Sequence, residues 1–216
     1  MRGDLVNLIF LLPILLLSMM AHEVAHGWVA FRLGDPTAKM HGRLTANPLR
    51  HLDPVGTLMF VVTYLMGSFI FGWAKPVPVN PMFFRSRQRG MAIVGLAGPV
   101  TNFLVAVIVG LFLNFLPISV LGNAAGELSR FGQILFLAYQ VNVVLGIFNL
   151  VPIPPLDGSR VLGAFFPPRM YQSWLQLDRY GMFFIIMIFV VLQGPFQTVL
   201  SGAFRAVSSV LLPRFF

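Results

Sequence analysis

Ala21-His22-Glu23-Val24-Ala25-His26-Gly27-Trp28 lies in the last third of an apolar stretch that begins near Leu5, and Leu5 to Ala21 carries no charge. Four residues on an α-helix make just over one turn. His22 and His26 therefore leave the same face, and their imidazoles can share one metal ion. Glu23 stands beside them, placed to take a proton from a water at that ion. The chain has four histidines (22, 26, 41 and 51) and two glutamates (23 and 127), so half of each supply falls within five consecutive residues. A lone histidine on an apolar face is ordinarily a core residue. A cluster of ionisable groups inside a membrane-length segment is costly and marks function. The stretch predicts a metal centre carried on a membrane helix.

Composition agrees with that setting. Of 216 residues, 57% are hydrophobic and only 10% charged, with mean hydropathy +0.82, whereas soluble domains carry about a quarter charged residues. Several apolar runs reach the ~20 residues needed to cross a bilayer. The net charge of +8 does not point to nucleic acid, because the basic residues sit in short loops between apolar runs. They read as topology signals facing anionic lipid headgroups. Cysteine is absent, which excludes disulfides and thiolate metal ligands. Arg2 and the following apolar run resemble a signal peptide, but the run continues into His22 with no small-residue cleavage pattern. It reads as a retained helix.

The sequence predicts an all-α polytopic membrane protein, a single membrane-embedded domain over 1–216. Its first helix covers about 5–33, contains Pro13 and stops at Gly34-Asp35-Pro36. Residues 36–53 are polar, basic and turn-rich, with short extended strands expected over Thr37 to Thr45. A second apolar run, 54–72, leads into Trp73-Ala-Lys-Pro-Val-Pro-Val-Asn-Pro81, which its prolines keep extended. Further helices are expected over 91–116 and 131–151, and Gly95 and Gly98 allow close approach to the first of these. The last run, about 181–200, is interrupted by Gly194-Pro195 and reads as a broken helix or a hairpin.

Charge selects the topology. Arg32, Lys39, Arg43 and Arg50 precede the 54–72 run, and Lys75, Arg85, Arg87 and Arg89 follow it. If that run crossed the bilayer, the two basic segments would lie on opposite sides, against the positive-inside tendency. A re-entrant run puts both in the cytoplasm and leaves the 117–129 loop, which lacks Lys and Arg, outside. Arg160, Arg169 and Arg179 then return to the cytoplasm, and His22, His26 and Asp157 share that side.

Hydrolytic zinc sites take about three protein ligands and leave a position for water. Glu127 and Asp4 fall on the wrong side, and Asp178 lies outside an apolar run. Asp157 follows the proline-broken helix end Asn149-Leu-Val-Pro152-Ile-Pro154-Pro155-Leu-Asp157-Gly158, where unwound backbone lining a cavity can turn a carboxylate inward. His41 and His51 are the other candidates for a third ligand. Asn149 is either a donor to a developing oxyanion or an amide bonding to a neighbouring helix. Asn102 poses the same alternative more weakly, and His51 reads as a loop-capping residue.

These residues carry a resemblance that spans nearly the whole chain. His-Glu-Val-Ala-His at 22–26, Gly-Asp-Pro-Thr-Ala-Lys at 34–39, Gly-Arg-Leu-Thr-Ala-Asn-Pro at 42–48, Phe-Gly-Trp-Ala-Lys-Pro-Val-Pro-Val-Asn-Pro at 71–81, Gly-Pro-Val-Thr-Asn at 98–102 and the 149–158 segment resemble the site-2 protease family of intramembrane zinc metalloproteases. The likeness is closest to its short prokaryotic branch without a PDZ domain. By that resemblance His22, His26 and Asp157 hold one zinc ion, Glu23 is the general base, and Asn149 contacts substrate or oxyanion. The resemblance also implies a three-helix core (5–33, 91–116 and 131–151) in a prokaryotic cytoplasmic membrane, and hydrolysis of a peptide bond in or near a transmembrane segment of another protein. The extended 73–81 piece is expected to take that substrate as an added strand. The reading expects no helix before the HExxH helix and no PDZ domain, which leaves substrate choice open. A zinc-binding scaffold that cleaves nothing is the rival reading. A transporter would need polar groups across the whole membrane depth, and here they cluster at one level.

Overall fold

The computed structural model of the protein describes residues 5–66, 71–122 and 127–215. Asp4, residues 67–70 of the second apolar run and residues 123–126 of the 117–129 loop lie outside the described residues. The described chain is helical. Helix α1 spans Leu5–Arg32, with Pro13 inside it, and ends where Gly34 turns with φ 105°, a conformation that favours glycine.

The strands expected over 37–45 do not form. Asp35 accepts the Thr37 N–H (2.9 Å) and its hydroxyl, so the chain coils into α2, Thr37–Met40. A carboxylate that meets the free N–H groups at a helix start favours the turn over an extended chain. Among the described residues there is no β-strand, only an isolated bridge between Gly122 and Leu128.

Helix α3, Pro54–Met66, has 13 residues. At 1.5 Å per residue it reaches about 20 Å, short of the ~30 Å hydrocarbon core. The chain then runs back along it. Phe71 N–H donates to Thr63 Oγ1 (3.0 Å), Trp73 packs directly on Gly56, and Lys75 N–H donates to the His51 carbonyl (2.8 Å). The described ends of the second run thus lie side by side, the arrangement expected of a re-entrant segment. Residues 71–80 stay extended and form a strap.

Helix α4, Arg87–Phe115, is the central element and packs on α1, on α6 (Arg130–Asn149) and on α7 (Asp157–Gly163); α5 (Ile118–Leu121) lies between α4 and α6. Helix α8 covers Pro168–Leu175 and α9 Gly181–Ile186; a π-helical turn, Met187–Val191, leads to α10, Gln193–Leu211. The chain does not fold back at the break. Gly181 lies on Pro155, Phe196 on Phe148, Phe204 on Tyr139, and Asn114 Nδ2 donates to Leu211 O (2.7 Å). Contacts therefore progress along α6 and onto the end of α4, so the C-terminal piece is a broken helix, not a hairpin. It also runs to Leu211, beyond the expected limit near 200.

Stretches 7–32, 87–115, 130–149 and 168–191 are long and apolar enough to cross a membrane. Large apolar side chains such as Ile9, Phe112, Phe115 and Val199 face outward, as a lipid-solvated surface requires. The chain is a multi-pass membrane protein. Its core divides between two ends. Ala106, Leu113, Leu121, Tyr139, Val143 and Leu212 fill one, and Ala30, Phe84 and Val94 the other. The His22 and His26 level belongs with the second end, where the basic segments 32–53 and 73–90 gather.

Because the chain has no cysteine, single replacements at exposed positions test the re-entrant arrangement cleanly. Met40→Cys and Met82→Cys are expected to react with an impermeant thiol reagent from the same face of sealed vesicles, and Ile118→Cys from the opposite face. Labelling of 40 and 82 from different faces would make 54–72 a crossing.

Candidate metal centre

His22 and His26 are set by a tyranny of acceptors on their far side. The Asn142 amide group donates to Ser18 Oγ (2.9 Å) and to Ala138 O (2.9 Å). A backbone carbonyl only accepts, so this end of Asn142 is its NH2 and the Oδ1 points the other way. There it accepts from Asn102 Nδ2 (3.1 Å), which turns Asn102 Oδ1 toward His22 Nδ1 (2.6 Å). The proton of neutral His22 is therefore on Nδ1. His26 reaches the same state more directly, because its Nδ1 lies 2.7 Å from Val94 O, again an acceptor only. Such outer hydrogen bonds fix tautomer and ring orientation in metal-binding histidines.

Both Nε2 atoms then carry lone pairs, and both face the Asp157 carboxylate. His22 Nε2 is 3.0 Å from His26 Nε2 and 3.0 Å from Asp157 Oδ2, which is 3.2 Å from His26 Nε2. Asp157 Oδ2 is buried with no hydrogen-bond donor, and its closeness to the two nitrogens is a meeting of acceptors. Three converging acceptors repel one another unless a cation sits between them. Two imidazoles and one carboxylate are a donor set suited to Zn²⁺, so the residues present fit the ion.

The backbone makes room for this group. A Cβ on Gly98 of α4 would fall 2.5 Å from the Nε2 atoms of both histidines. Asp157 opens α7 after the cis Pro154-Pro155 bond. Helix α7 is pinned by Trp174 Nε1 donating to Ser159 O (2.9 Å), by Gln88 Nε2 donating to Gly163 O (2.6 Å), and by an Arg160–Asp178 ion pair (2.7 Å).

Glu23 borders the same cavity of about 610 Å³, and its Oε2 accepts the Val77 N–H of the strap (2.8 Å). Asn149 also lines that cavity. One of its amide hydrogens goes to Leu145 O (3.0 Å). The other two histidines lie apart. His41 is exposed and bonded to Thr37 O (2.9 Å), and His51 is buried against Thr45 O (3.0 Å). The strap offers less to an added strand than its extended sequence suggests. Lys75, Val77 and Asn80 commit their N–H groups to His51, Glu23 and Asp35, while Pro76 and Pro78 have none. Residues 75–78 thus have no free backbone donor, and uncommitted backbone N–H groups remain at Gly72–Ala74 and at Val79.

Sequence reading gave Asn102 only an open role, used Arg43 only as a topology charge and Asp35 only as part of a helix stop, and passed over Asn142 and Ser18. The available signal was position. Ser18 stands four residues before His22 on one helical face, and Asn142 is an amide inside an otherwise apolar run.

The model of peptidase family M50 matches residues 10–193. The chain is 37% identical over 187 residues to YwhC of Bacillus subtilis, covering 87% of this chain and 83% of that protein. It is 29% identical over 176 residues to Rip2 of Mycolicibacterium smegmatis, covering 81% of this chain and 64% of that one. Both relatives bear provisional names as zinc metalloproteases. A zinc metalloprotease of Methanocaldococcus jannaschii is 24% identical over 151 residues, 32% of its own length. No solved structure is a significant match.

Replacing Asn102 by Leu removes the acceptor for His22 Nδ1 while keeping volume. Zinc affinity, measured by competition with a chelator, is expected to fall about 10–100-fold; unchanged affinity would mean that the amide relay does not orient His22.

Proposed function

This chain belongs to peptidase family M50, the site-2 protease family, and we propose that it is a zinc endopeptidase that cleaves peptide bonds in or near transmembrane segments of other membrane proteins. The observation that carries the reading is the meeting of His22 Nε2, His26 Nε2 and Asp157 Oδ2 within 3.2 Å, at the end of a membrane-length helix and beside Glu23.

His22, His26 and Asp157 would hold the ion. When bound, zinc lowers the pKa of a water toward ~7 and draws charge from a carbonyl oxygen. Glu23 takes the attacking water's proton on Oε1, since Oε2 is already engaged by Val77, and later delivers it to the leaving amine. The amide hydrogen of Asn149 that is not returned to Leu145 is aimed at the substrate carbonyl. A helical substrate hides its backbone, so it unwinds at this end and lays a short extended piece against Gly72–Ala74.

A membrane-embedded substrate also needs a way in. A second cavity of about 690 Å³, lined largely by apolar side chains, lies between α1, α6, α10 and the re-entrant segment, and shares Met19, Phe71, Gly72, Leu145 and Phe148 with the metal cavity. This groove joins the lipid-facing flank to the site, which favours a helical membrane substrate over a soluble peptide. The clustering of basic segments near the site supports a cytoplasmic-side reading of catalysis, and the bacterial and archaeal relatives support a prokaryotic membrane.

Glu23→Gln is expected to bind about one zinc per chain yet lose at least ~100-fold in cleavage of co-expressed single-pass model substrates. Asp157→Ala and His26→Ala should lose the metal as well. A Glu23→Gln protein that cleaves normally would remove Glu23 as the base. Wild type that binds zinc but cleaves no member of a broad substrate panel would favour the scaffold.

A further inference from the structure

We propose that Arg43 is a positioning residue for the catalytic base, acting through the strap: its guanidinium fixes residues 75–76 so that the next N–H, that of Val77, holds Glu23 Oε2. The inference rests on the reading of Glu23 as the base.

A glutamate on a helix surface has three rotatable bonds, and a hydrogen bond must confine it if its carboxylate is to stay beside the metal donors. Among the described residues the Glu23 side chain has one such bond, from Val77 N–H (2.8 Å). That donor is isolated, because Pro76 and Pro78 flank it and neither has an N–H. A slip of the strap by one residue either way would bring proline to Glu23 and leave the carboxylate unheld. The base is therefore only as well placed as the register of the strap.

Register is set on both sides of Val77. On one side, Arg43 donates through Nη1 to Arg50 O and through Nη2 to Lys75 O (2.5 Å) and Pro76 O (3.2 Å), while Lys75 N–H donates to His51 O (2.8 Å). On the other, Asp35 accepts the Asn80 N–H (2.6 Å). Arg43 is 7% exposed and Asp35 fully buried, and no ion pair joins either to an opposite charge among the described residues. Burying a guanidinium against carbonyls alone is costly. The planar, multi-donor fork is the one side chain that grips several carbonyls at fixed angles. Arg43 does so immediately before the residue that contacts the base.

The test compares wild type, Arg43→Gln, Arg43→Lys and Glu23→Gln in detergent and in proteoliposomes. Zinc content, deuterium uptake in the peptide covering 72–81, and the saturating cleavage rate of a single-pass model substrate would be measured. Arg43→Gln should keep its zinc, exchange the Lys75, Val77 and Asn80 amides faster, and cleave at least tenfold more slowly at saturation, with KM changed less than kcat. Arg43→Lys, which keeps the charge but not the fork, should fall between. Unchanged exchange would show that Arg43 does not hold the strap, and faster exchange with an unchanged rate would show that the strap does not position the base; either overturns the proposal. Zinc loss in both Arg43 variants would also overturn it, by assigning the residue to the fold as a whole. An active Glu23→Gln would instead remove the base itself, whatever Arg43 does.

Discussion

Three acceptor atoms held within 3.2 Å of one another, deep in an apolar molecule, are the constraint on which the rest of this structure depends. Nothing about a hydrophobic core brings His22, His26 and Asp157 together, and electrostatics pushes them apart. The surrounding protein enforces the meeting from outside. Backbone carbonyls of α4 and α6 dictate which ring nitrogens carry protons, Gly98 of α4 clears the space, and α7 is anchored at several points along its short length. The mutual repulsion of these acceptors is what a cation between them would relieve.

The same division of labour runs through the fold. Helices α1, α4 and α6 provide a rigid frame, and the irregular segments carry the adjustable chemistry. The re-entrant segment and strap are polar backbone beside the site, with the N–H groups of Phe71, Lys75, Val77 and Asn80 and the carbonyls of Lys75 and Pro76 met by Thr63, His51, Glu23, Asp35 and Arg43. Buried charge here does not pair with opposite charge. It is used to grip main chain, which makes the loop a precise part of the site.

Much of this was legible in the chain. The four-residue spacing of His22 and His26 in an uncharged run pointed to a shared site on a membrane-length helix, and the two flanking segments of the 54–72 run do lie side by side. Asp157 was reachable because a proline-broken helix end is a good place for an inward carboxylate. Other parts were not legible, for physical reasons. The helical turn over 37–40 depends on one Asp35 cap that outweighs a weak strand pattern. The Ser18–Asn142–Asn102–His22 relay joins three helices, and sequence spacing says nothing about which faces meet. The strap looks like an open edge in sequence, and only its partners reveal that residues 75–78 have no donor to give.

The metal donors also divide along the chain. Two come from the first membrane helix and the third from a turn that follows the last core helix. During synthesis a ribosome-bound chain that has not yet passed Asp157 possesses a pair of imidazoles and a glutamate, but no complete coordination set and no formed cavity. Any chemistry that needs all three donors has to wait until Asp157 has been made and brought to the two imidazoles. Order of translation, written into the placement of a single aspartate, completes the donor set last.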